Sequence, residues 1–306
     1  MTETVGQLTA VSVVHEVGRA LTVAVHGVEL FRYTYRPVLP ASECPCPYFH
    51  PLRSLAGDVV TGHRPHDHRW HKGLAMTATH LSGQNFWGGG TYTPGAPGNG
   101  YVDLPNVGRL EHTGFAEFAP GGRPEFTEHV DWVTAGGQRW IEEVRRFAVR
   151  DVDPTDGSWA LEFATELRNV RGAALEFGSP TVFGRELAGY CGFFWRGPRS
   201  FTGGTVIAAD GGGGPEMMGR RAGWLAYVGT HDEVDRSATL LFLAGGEPPH
   251  WFVRTTPYPG VNPSLAFSSA RELPAGETLR LRYRMVVADA AWDRDRLSRY
   301  VKKHPW

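Results

Sequence analysis

Apolar and polar residues alternate along much of this chain with the period of strands. Leu21, Val23 and Val25 are separated by small or polar residues, and His26-Gly27 can close a hairpin into 28–35, so residues 8–35 read as strands. Between 124 and 150 two strands flank an Ala-Gly-Gly-Gln turn. Leu161, Phe163, Thr165 and Leu167 alternate with Ala160, Glu162, Ala164 and Glu166, which marks a half-buried strand. Further strands are expected at 224–229, 238–243 and 250–254. The clearest comes last: Leu279, Leu281, Tyr283 and Met285 interleave with Arg280, Arg282 and Arg284. Helical spacing is seen only near the end, at 291–303, where Trp292, Leu297, Tyr300 and Val301 share a face. No repeat and no domain break interrupts the pattern. The expectation is one all-β domain over 1–306, a large two-sheet antiparallel β-sandwich with a short C-terminal helix.

Composition agrees with that class. The 306 residues include 39 Gly, 22 Pro, 10 Trp, 16 Phe and 10 Tyr, a mixture that favours turns and aromatic-rich strands. A net charge of -1 gives no basic field for nucleic acid. No stretch approaches the roughly 20 apolar residues of a membrane helix, and no signal peptide is visible at the N-terminus. Cys44, Cys46 and Cys191 make no disulfide framework, so a reducing, cytoplasmic setting is expected. Gly211–Gly214 lacks the Lys-Ser/Thr of a phosphate loop and reads as a connector, and no serine-centred triad can be assembled.

Chemistry concentrates between Tyr48 and Trp87, which hold six of the 13 histidines: His50, His63, His66, His68, His71 and His80. Imidazole exchanges protons near neutral pH, and unpaired buried imidazoles are costly, so plain packing explains such a cluster poorly. Pro65 disfavours a helix there. In an extended chain His66 and His68 would share a face, and His71 would need a turn to join them. Acid–base catalysis by His68 and His71, with Asp67 orienting an imidazole, is the leading reading. A divalent metal held by His66, His68 and His71 is the alternative, although the spacing matches no standard metal motif. Glu186 is the favoured further carboxylate. Aromatic residues beside polar ones suit sugars, whose C–H faces stack on rings while their hydroxyls meet polar groups. Trp87 and Trp195 are therefore expected as stacking walls, with His50, His66, Asn85, Arg185, Arg196 and Arg254 as hydroxyl or carboxylate binders. The Gly/Pro-rich stretch 88–114 reads as a long functional loop.

The segments PYFHPL (47–52), HDHRWHKG (66–73), GQNFWGGGTY (83–92), GYCGFFWRGP (189–198) and FTGGTVIAADG (201–211) together resemble a bacterial family labelled PmoA-like. Its histidine motif is similar to D-H-P-W-H-H-G. Asp67, His68, Trp70, His71 and Gly73 match, whereas Arg69 replaces the proline and Lys72 the second of the paired histidines. The label evokes a methane monooxygenase subunit, an integral membrane protein, and that function is set aside because no spanning segment is present. The resemblance implies a galactose mutarotase-like supersandwich without a nucleotide cofactor, acting on a sugar or oxidised sugar derivative. An isomerase, epimerase or lyase is the expected enzyme. It also implies association with a Gfo/Idh/MocA-type sugar oxidoreductase, for which the chain could instead be a non-catalytic sugar-binding accessory.

Overall fold

The computed structural model describes residues 11–120 and 124–306, so the first three residues of the expected strand region 8–35 lie outside the described part. Two large antiparallel sheets lie face to face. The 11-stranded sheet follows the path Val11–Glu16, Ala20–Val25, Val28–Thr34, Tyr48–Leu52, Leu74–Leu81, Gly192–Arg196, Gly260–Ser264 and His250–Arg254, with three short strands attached at its side. The 8-stranded sheet runs Thr205–Ala208, Trp224–Thr230, Ser237–Ala244, Thr278–Ala288, Ser158–Asn169, Arg139–Asp153, Glu125–Val133 and Arg109–Ala119. The expected two-sheet sandwich is therefore what forms. The hairpin at His26-Gly27 closes with both residues at positive φ, 51° and 81°, the geometry of a two-residue turn matched to strand twist.

The core lies between the sheets. Phe163 of one sheet stacks on Phe193 of the other at 4.7 Å, and Phe193 stacks in turn on Tyr283 at 4.9 Å. Each such buried ring stabilises by roughly 1.5–3 kcal/mol. The same layer holds a paired charge network: Arg145 Nη2 lies 2.6 Å from Glu143 Oε2, which also accepts from Trp132 Nε1 at 2.7 Å. Because its members satisfy one another, this network tolerates burial.

The helix Arg294–Lys303 covers the outer face of the 8-stranded sheet. Leu297 and Tyr300 pack there with Trp292 against Trp224, Leu241 and Val286, and Asp293 caps its start by accepting from Arg296 N. Gly212 is no loose connector, since its carbonyl accepts from Arg294 Nη2 at 2.8 Å. The stretch 88–114 is more ordered than expected. It contains a ribbon of Thr91–Tyr92 with Tyr101–Val102, and its last six residues already belong to the strand Arg109–Ala119.

Strand parity decides what reaches the other face of the 11-stranded sheet. In Gly192–Arg196, Phe193 and Trp195 point into the sandwich core, while Phe194 joins a separate outer cluster with Trp87, Phe252, Tyr258 and Phe267. In His250–Arg254, Trp251 and Val253 face inward, and Phe252 faces out. On this outer face, loops from several parts of the chain enclose a cavity.

Candidate functional site

The cavity measures about 390 Å³ and is lined by the histidine loop, the 79–101 region, the 180–190 turn and the segment after His250–Arg254. That volume suits a single small ligand.

The histidine loop is built from two consecutive tight turns. His68 N donates to Pro65 O at 3.0 Å, and His71 N donates to His68 O at 3.0 Å. An antiparallel bridge between His63 and Lys72 closes the loop. The first and fourth residues of a β-turn lie close together, so the second turn carries His71 back beside His68. Their rings stack with centroids 4.7 Å apart and planes at 29°. The turn that strand parity demanded is thus present.

Neighbouring charges brace this loop. Arg64 grips Glu43 through two hydrogen bonds of 2.7 and 2.8 Å. Lys72, where the resembled motif has histidine, is buried, and its Nζ donates to Glu43 O at 2.7 Å and Trp70 O at 2.9 Å. It staples two loops together. Trp70 lies against Gly88 and Gly89, which have φ of +99° and +66°. A Cβ on either would sit 2.7 Å from Trp70. The glycines at 88–89 are required here by both backbone and space.

The two rings of the stacked pair are held differently. His71 is 2% exposed, and Arg196 Nη1 lies 3.1 Å from its Nδ1. A guanidinium only donates, so Nδ1 of His71 must accept and the ring proton resides on Nε2. Burial above all, then His68, Arg196 and Lys72, hold His71 well below the ordinary imidazole range, which keeps it neutral. His68 Nδ1 lies 3.1 Å from Asp67 Oδ2, off the line of a full hydrogen bond but close enough to favour a proton on Nδ1. This arrangement leaves Nε2 of His68 as the bare acceptor. Burial lowers the pKa of His68, with Asp67 opposing it. Asp67 is itself ion-paired with Arg199. Burial pulls its carboxyl upward, but His68 and Arg199 keep it below the usual range.

The expected residues divide between the cavity and its surroundings. Asp67, His68, His71, Asn85, Trp87, Arg185 and Arg254 line the cavity. Asn85 does so with a committed amide: Oδ1 accepts from Trp87 N and Gly88 N, and Nδ2 donates to Gly89 O and Thr91 Oγ1. It shapes the loop, which corrects its expected role in binding hydroxyls. Trp195 is fully buried among Tyr227 and Phe242, and its Nε1 donates to Val60 O at 2.9 Å, so it is a core residue and no stacking wall. Arg196 sits behind His71, 1% exposed, with its guanidinium 4.2 Å from the Tyr258 ring. It positions His71 instead of lining the cavity. Burial lowers its pKa to about 10.

His50 is likewise outside the cavity lining. It stacks on His63 at 4.7 Å and bonds Thr61 Oγ1 at 2.9 Å. His66 is exposed and borders a different, outer groove. Glu186 is exposed and does not line the cavity. No group of three or more His, Cys, Asp or Glu placed to hold a metal occurs among the described residues, so His66, His68 and His71 do not converge as a ligand set.

Several lining residues escaped the sequence reading. Tyr101, Tyr190 and Tyr258 form one wall, with Tyr190 OH bonded to Tyr101 OH and Arg185 donating to the same Tyr101 hydroxyl. Trp70 and His80 also contribute to the lining. For two of them the signal was their place inside motifs already noted: Trp70 within HDHRWHKG and Tyr190 within GYCGFFWRGP.

Fold and site together define an antiparallel β-sandwich with an aromatic and polar cavity on one outer sheet face. The chain belongs to the family of unknown function DUF6807, which it matches over residues 20–302. No curated protein matches it. Among solved structures, it is similar to a GH36 alpha-galactosidase from Geobacillus stearothermophilus at 13% identity and a TM-score of 0.40, covering 92% of this chain and 41% of that one. It is also similar to the alpha-galactosidase from Lactobacillus brevis, at 8% identity and a TM-score of 0.38, covering 93% and 40%. A heparan sulfate lyase HepC mutant from Pedobacter heparinus is similar at 9% identity and a TM-score of 0.38, covering 89% and 34%. The chain therefore spans at most about two fifths of these proteins' length. No helix among the described residues is long and apolar enough to cross a membrane.

Proposed function

We propose that this protein is a carbohydrate-active enzyme of mutarotase-like type that moves a proton on a sugar or oxidised sugar derivative. One observation carries the reading: within a single aromatic-walled cavity, His68 and His71 stack at 4.7 Å with opposite hydrogen-bonding character. His68 Nε2 takes a proton, from an anomeric hydroxyl or from a carbon next to a carbonyl. In either case the electron pair left behind ends on an oxygen, the ring oxygen or the enolate oxygen. Nε2–H of His71 hydrogen-bonds that oxygen as its charge develops. His68 then returns the proton to the anomeric oxygen or to the opposite face of the carbon, completing an anomer exchange or an epimerisation; in an elimination the enolate expels the neighbouring hydroxyl, which takes the proton from His68 and leaves as water. Asp67 stabilises His68 while it carries the extra proton. Trp70, Trp87 and the tyrosine wall supply stacking faces.

A panel of monosaccharides, keto-sugars and sugar acids in deuterium oxide, followed by NMR, tests this. Accelerated anomer exchange or deuterium incorporation into one class is the expected result. Saturable binding with an unchanged sugar over long incubation would overturn it in favour of an accessory binding protein, whose oxidoreductase partner could then be sought by co-purification.

A further inference from the structure

The charges around the cavity do not balance. Among the described residues Asp67 is the only carboxylate in its lining, and Arg199 already neutralises it. Arg185 and Arg254 also line the cavity, and neither forms an ion pair among the described residues. Arg185 donates from one nitrogen, to Tyr101 OH. Arg254 has one marginal contact, Nη2 to Leu187 O at 3.5 Å. Each guanidinium carries five N–H groups, so most of their donors are uncommitted. Arg64, Arg145 and Arg284 behave differently, each gripping a carboxylate through two of its nitrogens. Both guanidiniums lie over aromatic rings, Arg185 over Tyr101 at 4.7 Å and Arg254 over Phe252 at 5.4 Å, but neither has a counter-charge, which is costly for a half-buried cation.

Placement adds to the imbalance. Arg185 stands in the turn after Pro180, where its N donates to Pro180 O at 3.0 Å. Arg254 ends an edge strand and projects to the outer face beside Phe252, whose ring lies 5.4 Å from its guanidinium. Arg196, a third cation, lies at the histidine side, under Tyr258 and bonded to His71, and its Nε and Nη2 have no partner among the described residues. The Arg185–Arg254 end of the cavity is therefore positive, and the stacked histidines are neutral.

We propose that the natural ligand is a sugar bearing an acidic group, with its anion seated at the Arg185–Arg254 end of the cavity and its reacting carbons beside His68 and His71. This rests on the sugar-site reading above and adds the ligand's charge. The arginine fork matches carboxylate and phosphate oxygens in pairs, and these two sources share one recognition chemistry.

Calorimetric titration of the full chain with matched sugars tests it. Uronates and aldonates are each compared with their neutral parents, and sugar phosphates form a second arm. The acid is expected to bind at least about tenfold tighter than its parent, with an advantage that shrinks as salt rises. In Arg185→Gln/Arg254→Gln the ratio of acid to parent affinity should fall to near unity. The wild-type comparison needs no variant to fold, and Arg254→Lys retains the charge as a control. Preference for the phosphate arm keeps the anion site and assigns it phosphate. Equal binding of acid and parent overturns the anion site and leaves the sugar reading standing. Absence of binding by every member of the panel overturns both.

Discussion

His68 and His71 stack face to face in one cavity wall, yet their Nδ1 atoms meet opposite charges: the Asp67 carboxylate at 3.1 Å for His68 and the Arg196 guanidinium at 3.1 Å for His71. The pair is set as one acceptor and one donor. Replacing either ring should therefore remove turnover of the responsive sugar. His68→Asn and His71→Asn are each expected to lower kcat by about 100-fold or more. Steady-state rates on folded protein, checked by circular dichroism, measure this. Near-wild-type kcat in both variants would remove the pair from the chemistry.

Low pH should weaken the fold through the neutral buried histidines. Burial pushes His50 down to about 3 and His63 down to about 4. In the unfolded chain both titrate near 6.5. Above that value neither state binds the extra proton, and this contribution is complete. As pH falls below it, the unfolded chain takes up protons that the folded protein refuses. Stability then drops by up to about 1.4 kcal/mol per pH unit for each histidine. Urea midpoints measured from pH 7.5 to 4.5 should hold down to about pH 6.5 and fall below it, with a shallower fall in His63→Gln. A flat profile would contradict these burial effects.

Two tryptophans should separate stability from binding. Trp195 is sealed in the core, and Trp195→Leu is expected to destabilise by about 3–5 kcal/mol while leaving sugar affinity of the folded fraction unchanged. Trp87 lines the cavity, and Trp87→Leu should weaken binding. Urea unfolding and titration of the same samples measure both. Loss of affinity in Trp195→Leu alone would reverse the assignment.

Residues outside the cavity should be silent. His66→Ala and Glu186→Gln alter exposed side chains that do not line it. Both variants should retain kcat and KM within about twofold, since surface changes away from special features have small effects. A large loss in His66→Ala would revive a role for that imidazole, and the same result in Glu186→Gln would restore it as a catalytic carboxylate.

Much of the architecture could be read from alternation, because a strand with one face on a core must repeat every two residues. Leu161, Phe163 and Leu167 face inward as the pattern requires. The same rule, applied to 192–196, would have separated Trp195 from Phe194 and Arg196 and predicted which of them faces the core. What alternation leaves open is which face of a sheet carries the site. The join between His68 and His71 was hidden for another reason. It depends on two successive turns held by Lys72 and Arg64 on the 41–45 segment, a tertiary brace with no local signature. Tyr258 was missed because its value lies in its neighbours Arg196 and His71, more than 60 residues earlier in the chain.

The most direct measurement is the proton arrangement on the two rings. Nitrogen-15 NMR of the histidine side chains at pH 7, assigned through His68→Asn and His71→Asn, should show His71 protonated on Nε2 and His68 on Nδ1. Arg196→Met should release His71 from its single tautomer without unfolding the protein, and Arg196→Lys should partly restore it. Binding of a sugar should perturb both Nε2 signals. Two rings in the same tautomer, or both charged at pH 7, or an Nδ1 proton on His71 in the wild-type protein, would contradict the account.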